Sequence, residues 1–230
     1  MSLSQVHQDI ISCHRCPRLR EYCAEIGRVK RAAFRNDTYW AKPVPGFGDP
    51  NARVLILGLA PAAHGANRTG RVFTGDCGGG SGDFLMTALH KNGFASIPTS
   101  QSVEDGLELK GAFIAAAVRC APPDNKPAPE EILACQHHLE AELAQLANVR
   151  VVVLLGRIAF DVWWRVMVRK GIDARPRPAF GHGLVHEIPG SPVAIASYHP
   201  SRQNTNTGKL TPPMMDSVFR KAARLARVIA

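Results

Sequence analysis

Four cysteines, one aspartate and one histidine stand out for the chemistry they could do. Cys13 and Cys16 form a C-x2-C pair followed at once by Pro17, and Cys120 and Cys135 form a second, wider pair. Two locally rigid pairs can converge on one four-thiolate site, which suits tetrahedral zinc or a [4Fe–4S] cluster. The Cys-Pro step tilts the choice toward iron–sulfur. Cys23 and Cys77 look unpaired, and no activating base adjoins Cys77.

The aspartate sits in "GLAPAAHGANRTGRVFTGDCGGGSGD", from Gly58 to Asp83. A glycine-rich loop often cradles phosphates, but the Walker lysine is missing and G-x-G-x-x-G is out of register with the preceding strand. The stretch reads better as a pocket wall. Gly58, Leu59 and Ala60 would offer bare backbone to the edge of a flat heterocycle, with His64 further along and Phe73 able to stack on its face. Asp76 is the only carboxylate between Val54 and Gly82. Facing a sugar, it could stabilise an oxocarbenium-like centre or position water. A second stretch, "SYHPSRQNTNTGK", carries His199 within reach of that pocket. Ser201, Arg202, Gln203 and Asn204 supply short donors and one fixed cation for a phosphate backbone.

These loops need a frame. "ARVLILGLA" (Ala52–Ala60), "GAFIAAAVRC" (Gly111–Cys120), "VRVVVLLG" (Val149–Gly156) and "SPVAIASYHPS" (Ser191–Ser201) read as buried strands. Helices are expected over Asp83–Asn92, with Asp83 as cap, and over Ala128–Ala147, Arg157–Lys170 and Pro212–Val228. Ile132, Cys135, Leu139, Leu143 and Leu146 share one helical face, so Cys135 should point inward. The portion before Asp49 reads as basic and irregular. Strands alternating with helices predict a three-layer α/β/α domain with a central four-stranded parallel sheet. Both polar loops leave from the carboxyl ends of strands, where ligands bind in such sheets.

The 230 residues, 45% hydrophobic, suffice for one domain over 1–230, with residues 1–50 tied in by the metal. No apolar run approaches the roughly 18 residues of a membrane helix, and the N-terminus has no signal-peptide pattern. The expectation is a cytoplasmic protein with no membrane partner, where persistent disulfides are not favoured. A net charge of +9 suits a polyanionic partner.

Taken together, these residues resemble the uracil-DNA glycosylase superfamily, specifically the iron–sulfur family 5 (b type) enzymes. "GLAPAAHGANRTGRVFTGD" resembles their first motif and "SYHPSRQNTNTGKLT" their second; "VRCAPPDNKPAPEE" and the cysteine pairs resemble their cluster region. The resemblance implies a [4Fe–4S] cluster on Cys13, Cys16, Cys120 and Cys135. It implies excision of uracil from DNA. No lysine sits in either motif core as an obvious Schiff-base nucleophile, so the expected activity is monofunctional and hydrolytic, on duplex or single-stranded DNA, by a monomer. Asp76 would assist the transition state, Phe73 would stack on the base, His199 would face the leaving base, and Asn125 would be a further pocket residue. Two positions depart from the pattern. Leu59 replaces the usual Asp, Asn or Glu after the strand's glycine, and Ala116 stands where a base-reading asparagine occurs in family 4 relatives. Both changes suggest looser base selection, with hypoxanthine and xanthine as further candidates. The rival reading is a non-catalytic iron–sulfur protein that binds nucleic acid.

Overall fold

The computed structural model describes residues 1–75 and 80–228, so Asp76 and Cys77 lie outside the described residues. In chain order the elements are α1 (Leu3–Ile11), α2 (Pro17–Val29), β1 (Phe47–Gly48), β2 (Val54–Gly58), α3 (Ala66–Thr69), α4 (Ser81–Lys91), β3 (Ala112–Ala116), α5 (Pro129–Gln145), β4 (Val151–Leu155), α6 (Arg157–Arg169), β5 (Val185–His186), β6 (Val193–Ser197), α7 (Arg202–Asn206) and α8 (Pro212–Val228). Among the described residues, no helix is long and apolar enough to cross a membrane.

The sheet order is β1-β3-β2-β4-β6-β5. β3, β2, β4 and β6 run parallel, while β1 and β5 pair antiparallel at the two edges. The sheet is therefore six-stranded and mixed, not the expected four-stranded parallel sheet. The edge strands are two residues long and half-buried, too short to leave any alternation in the sequence.

Every residue of the four inner strands is buried, and their alternation divides the core. Ile114, Ile56, Val153 and Ile195 are in register and face the layer of α4 and α8. Phe113, Leu55, Val152 and Ala194 form the next row and face α5 and α6. Burying each such aliphatic side chain contributes about 1.5–3 kcal/mol, so both rows are apolar and the strands read as continuous hydrophobic runs.

Two further expectations are corrected. The N-terminal portion is not irregular but holds α1 and α2. α2 starts with Pro17 in its first turn and buries only Leu19 and Cys23, a stripe too thin to register as helical periodicity. Asp83 does not cap α4, which begins earlier, at Ser81. Its carboxylate accepts instead from the Ser100 backbone and the Gln101 side chain, at 3.3 and 2.8 Å. α5 behaves as expected: Cys135 and Leu139 are buried, and the Glu131 carboxylate accepts from the Ala128 N–H at its start.

Candidate functional site

A cavity of about 570 Å³ opens beyond the carboxyl ends of the inner strands. The turn after β2 contributes Leu59, Ala60, Pro61 and Ala62; β3 contributes Ala116; the segment after β6 contributes His199, Ser201, Arg202 and Gln203. Phe73 and Asn125 complete the wall. The carbonyls of Gly58 and Leu59 accept from Ala117 and Val118, which fixes this turn against β3. Among the described residues, the Ala60 and Ala62 N–H groups have no hydrogen-bond partner, so the wall presents unspent backbone donors.

Phe73 is held there at some conformational cost. It adopts φ +51°, uncommon for an aromatic residue. Two glycines make room for it. A Cβ on Gly58 would lie 2.8 Å from the Phe73 ring, and one on Gly82 would collide with the Phe73 carbonyl oxygen. The Phe73 and His199 rings stack with centroids 5.9 Å apart and planes inclined by 28°. Gly156, at φ +90°, lies beneath His199, where a Cβ would approach the imidazole's own Cβ to 3.2 Å. Burial pushes the His199 pKa down to about 4, so the ring is neutral near pH 7. Asn204 is not part of the wall. Its amide donates to the His199 carbonyl at 2.9 Å, and Ser201 caps the helix α7 that begins there.

The chain just before residues 76–79 is held by hydrogen bonds. The Gly75 N–H donates to the Ser100 carbonyl, and its own carbonyl accepts from Arg68 Nη2 at 2.8 Å. Arg68 also reaches Asp37 at 2.6 Å and the His64 carbonyl at 2.9 Å. Beside it, buried Arg71 bridges Thr74, Ser100 and Asp105. Burial would raise the Asp105 pKa, but the Arg71 bond and backbone amides hold it down at about 2. On the far side, Gly80 and Ser81 line the 570 Å³ cavity.

A second cavity, about 380 Å³, adjoins the first. His64 belongs to this one, with Tyr22, Arg31, Phe34 and Gly75. Asp124 and Asn125 line both cavities, each at positive φ, a conformation that Asn and Asp tolerate better than most residues.

The four paired cysteines line a third, small cavity between α2, the end of β3 and the start of α5. The Arg119 N–H donates to Cys135 Sγ at 3.2 Å. Burial pushes the Cys135 thiol up to about 12, and burial with the neighbouring thiols also raises Cys16. Cys23 is no bystander: it lies against Cys120 and donates to the Ala121 carbonyl at 3.6 Å. Among the described residues, no three Cys, His, Asp or Glu side chains stand ready-placed around one metal position.

Comparison with known proteins decides what this arrangement is related to. The uracil DNA glycosylase superfamily profile matches residues 45–223. A type-5 uracil-DNA glycosylase of Thermus thermophilus is 51% identical over 95% of this chain and 96% of its own. Those of Mycobacterium tuberculosis and Pyrobaculum aerophilum are 47% and 44% identical, over 99% and 93% of this chain and 83% and 89% of theirs. The chain belongs to the uracil-DNA glycosylase superfamily, with the type-5 enzymes.

Within this uracil-DNA glycosylase fold the two motif loops meet: Leu59, Ala60, Phe73, Asn125, His199, Ser201, Arg202 and Gln203 share one cavity. Gly58 lies directly behind Phe73. Both departures from the superfamily pattern, Leu59 and Ala116, fall in that same wall. Sequence reasoning missed Asp124, a carboxylate that lines the cavity and stands beside Asn125 in "PPDNKP". It also missed Arg68 and Arg71, whose carboxylate partners Asp37 and Asp105 lie 31 and 34 residues away and leave no local signal.

Proposed function

We propose that the chain hydrolytically excises uracil from DNA, acting as a monofunctional glycosylase on a nucleotide flipped into the 570 Å³ cavity. The observation that carries this reading is the meeting of Phe73 and His199, from opposite motif loops, in one wall. A base inside a duplex cannot present its glycosidic bond, so it must leave the stack at a cost of a few kcal/mol. The face of Phe73 then takes the base. The Ala60 and Ala62 amides and the neutral His199 donate toward negative charge growing on the departing base. Removing one such preorganised donor typically costs roughly 3–4 kcal/mol. Asp76 supplies the carboxylate for the oxocarbenium-like sugar, helped by the braced Gly75 before it and by the cavity lining after it. Ser201, Arg202 and Gln203 hold the DNA backbone, and Asn204 keeps their loop in place. Leu59 and Ala116 offer no side-chain hydrogen bond to a base edge, which supports excision of hypoxanthine and xanthine as well.

The cysteine cavity fits an iron–sulfur cluster. Besides four thiols it holds Arg20 Nε, Arg119 Nε and His138 Nε2, all buried without a hydrogen-bond partner among the described residues. Buried donors left unpaired are costly, and an anionic cluster with its sulfides would accept from them. Cys13, Cys16, Cys120 and Cys135 would hold it. When bound, it supplies a cross-link joining residues 1–50 to β3 and α5, and the excision steps run on the other residues. Arg20 and Arg119 would offset its charge.

The deciding experiment uses purified protein and duplexes carrying a single uracil, hypoxanthine or xanthine, scored for alkali-labile sites. Uracil-dependent sites are expected, and Asp76→Ala should lower the rate at least roughly a hundredfold, the size of a lost charge-stabilising group. DNA retained with no base released would favour the non-catalytic alternative.

A further inference from the structure

We propose that the second cavity binds the nucleotide adjacent to the flipped one on the same strand, with Arg31 as its phosphate contact and Phe34 and Tyr22 as its apolar wall. This rests on the base-flipping reading above. At about 380 Å³ the cavity is within the range of small-ligand pockets. It adjoins the first, with Ala62, Asp124, Asn125 and Arg202 lining both. Two linked nucleotides need two such compartments with a shared partition.

The lining has the chemistry of a nucleotide. Arg31 is exposed and, among the described residues, pairs with no carboxylate. It is presented by a tight exit from α2: the helix ends on Lys30 at φ +56°, a position where glycine is usual, and the chain extends at Arg31. The Phe34 ring is pinned by the Arg68 guanidinium 4.0 Å away. His64 Nδ1 bonds to the Tyr39 hydroxyl at 3.0 Å, which fixes the imidazole in the wall. Asp124 on the partition makes free phosphate a poor occupant, because its carboxylate repels an anion. A whole nucleotide resolves the conflict, with its phosphate at Arg31 and an exocyclic amine available to Asp124.

Excision should therefore depend on a neighbour on one side of the lesion. The test compares wild type, Arg31→Ala and Arg35→Ala on duplexes with uracil in the centre, at the 5′ end, or at the 3′ end. Arg35 is also exposed but does not line the cavity. Arg31→Ala should raise KM roughly tenfold on the central substrate and on one terminal substrate, the order expected for one phosphate or stacking contact. That deficit should vanish on the terminal substrate lacking the relevant neighbour, and Arg35→Ala should show no such pattern. An equal Arg31→Ala deficit on all three substrates, none on any, or the same pattern in Arg35→Ala overturns the inference. The same comparison of equilibrium binding, with a tetrahydrofuran abasic analogue replacing uracil, reads the subsite without catalysis. Absence of uracil release by wild type would thus count against the glycosylase reading alone.

Discussion

At the scale of single residues, the cavity wall is tight where Phe73 sits and electrically neutral where His199 sits. Gly58→Ala would drive a Cβ to 2.8 Å from the Phe73 ring, so the ring must move. Overpacking of this kind costs about 1–3 kcal/mol. We expect Gly58→Ala to lower kcat/KM roughly tenfold, at the lower end of that cost, and Phe73→Leu to absorb much of the added methyl. A double-mutant cycle with strictly additive losses would show that the glycine serves something other than Phe73. His199 makes a pH prediction. Burial lowers its pKa to about 4, so it is neutral above about pH 5 and charges only as pH falls through that value. His199→Ala should cause a partial loss whose ratio to wild type stays constant from about pH 5 to 8. An inflection near 6.5 present in wild type and absent from the variant would place the imidazole in water instead.

At the scale of elements, the question is what joins the N-terminal helices to the sheet. Cys120 follows β3 and Cys135 lies on α5, so a cluster held with Cys13 and Cys16 would pin the start of α2 between them. Cys120→Ala should yield colourless protein with little iron and a lower Tm; a brown variant with full iron would remove Cys120 from the ligand set. Behind this cavity Arg119 and Glu142, each 1% exposed, pair at 2.6 Å, and Glu142 also accepts from the Gly46 N–H at 2.8 Å. Removing one partner of a buried pair leaves an uncompensated charge. Arg119→Met should therefore cost about 3–5 kcal/mol in urea unfolding. Arg119→Met with Glu142→Leu should regain most of it, short of about 1–3 kcal/mol for the stranded Gly46 N–H. No recovery in the double variant would mean the guanidinium acts through another contact. The inner strands, α5, α6 and α8 were legible because long apolar runs and clear stripes announce them. α1, α2, α7 and the edge strands were not, since each is short or buries too few residues to impose a period.

At the scale of the whole molecule, the four parallel inner strands gather loops from distant sequence positions at one end. That convergence explains which parts of the site could be read in advance. Phe73 and His199 lie within motifs whose letters reveal them, whereas the second cavity joins Tyr22 and Arg31 from the front of the chain to Arg202 near its end. No periodicity or spacing encodes that meeting. The charge of +9 is likewise a property of the whole chain, and it sets the last prediction. Cations that neutralise DNA phosphates release counterions, so KM for duplex DNA should climb steeply with salt while kcat at saturating DNA stays nearly flat. If six or more phosphates are contacted, affinity should fall at least roughly a thousandfold between about 50 and 200 mM salt. Arg31→Ala should reduce the slope of log affinity against log salt by about one, because it removes one phosphate contact. A KM indifferent to salt would mean that the positive charge lies away from the face holding the two cavities, and that shape and stacking alone retain the DNA.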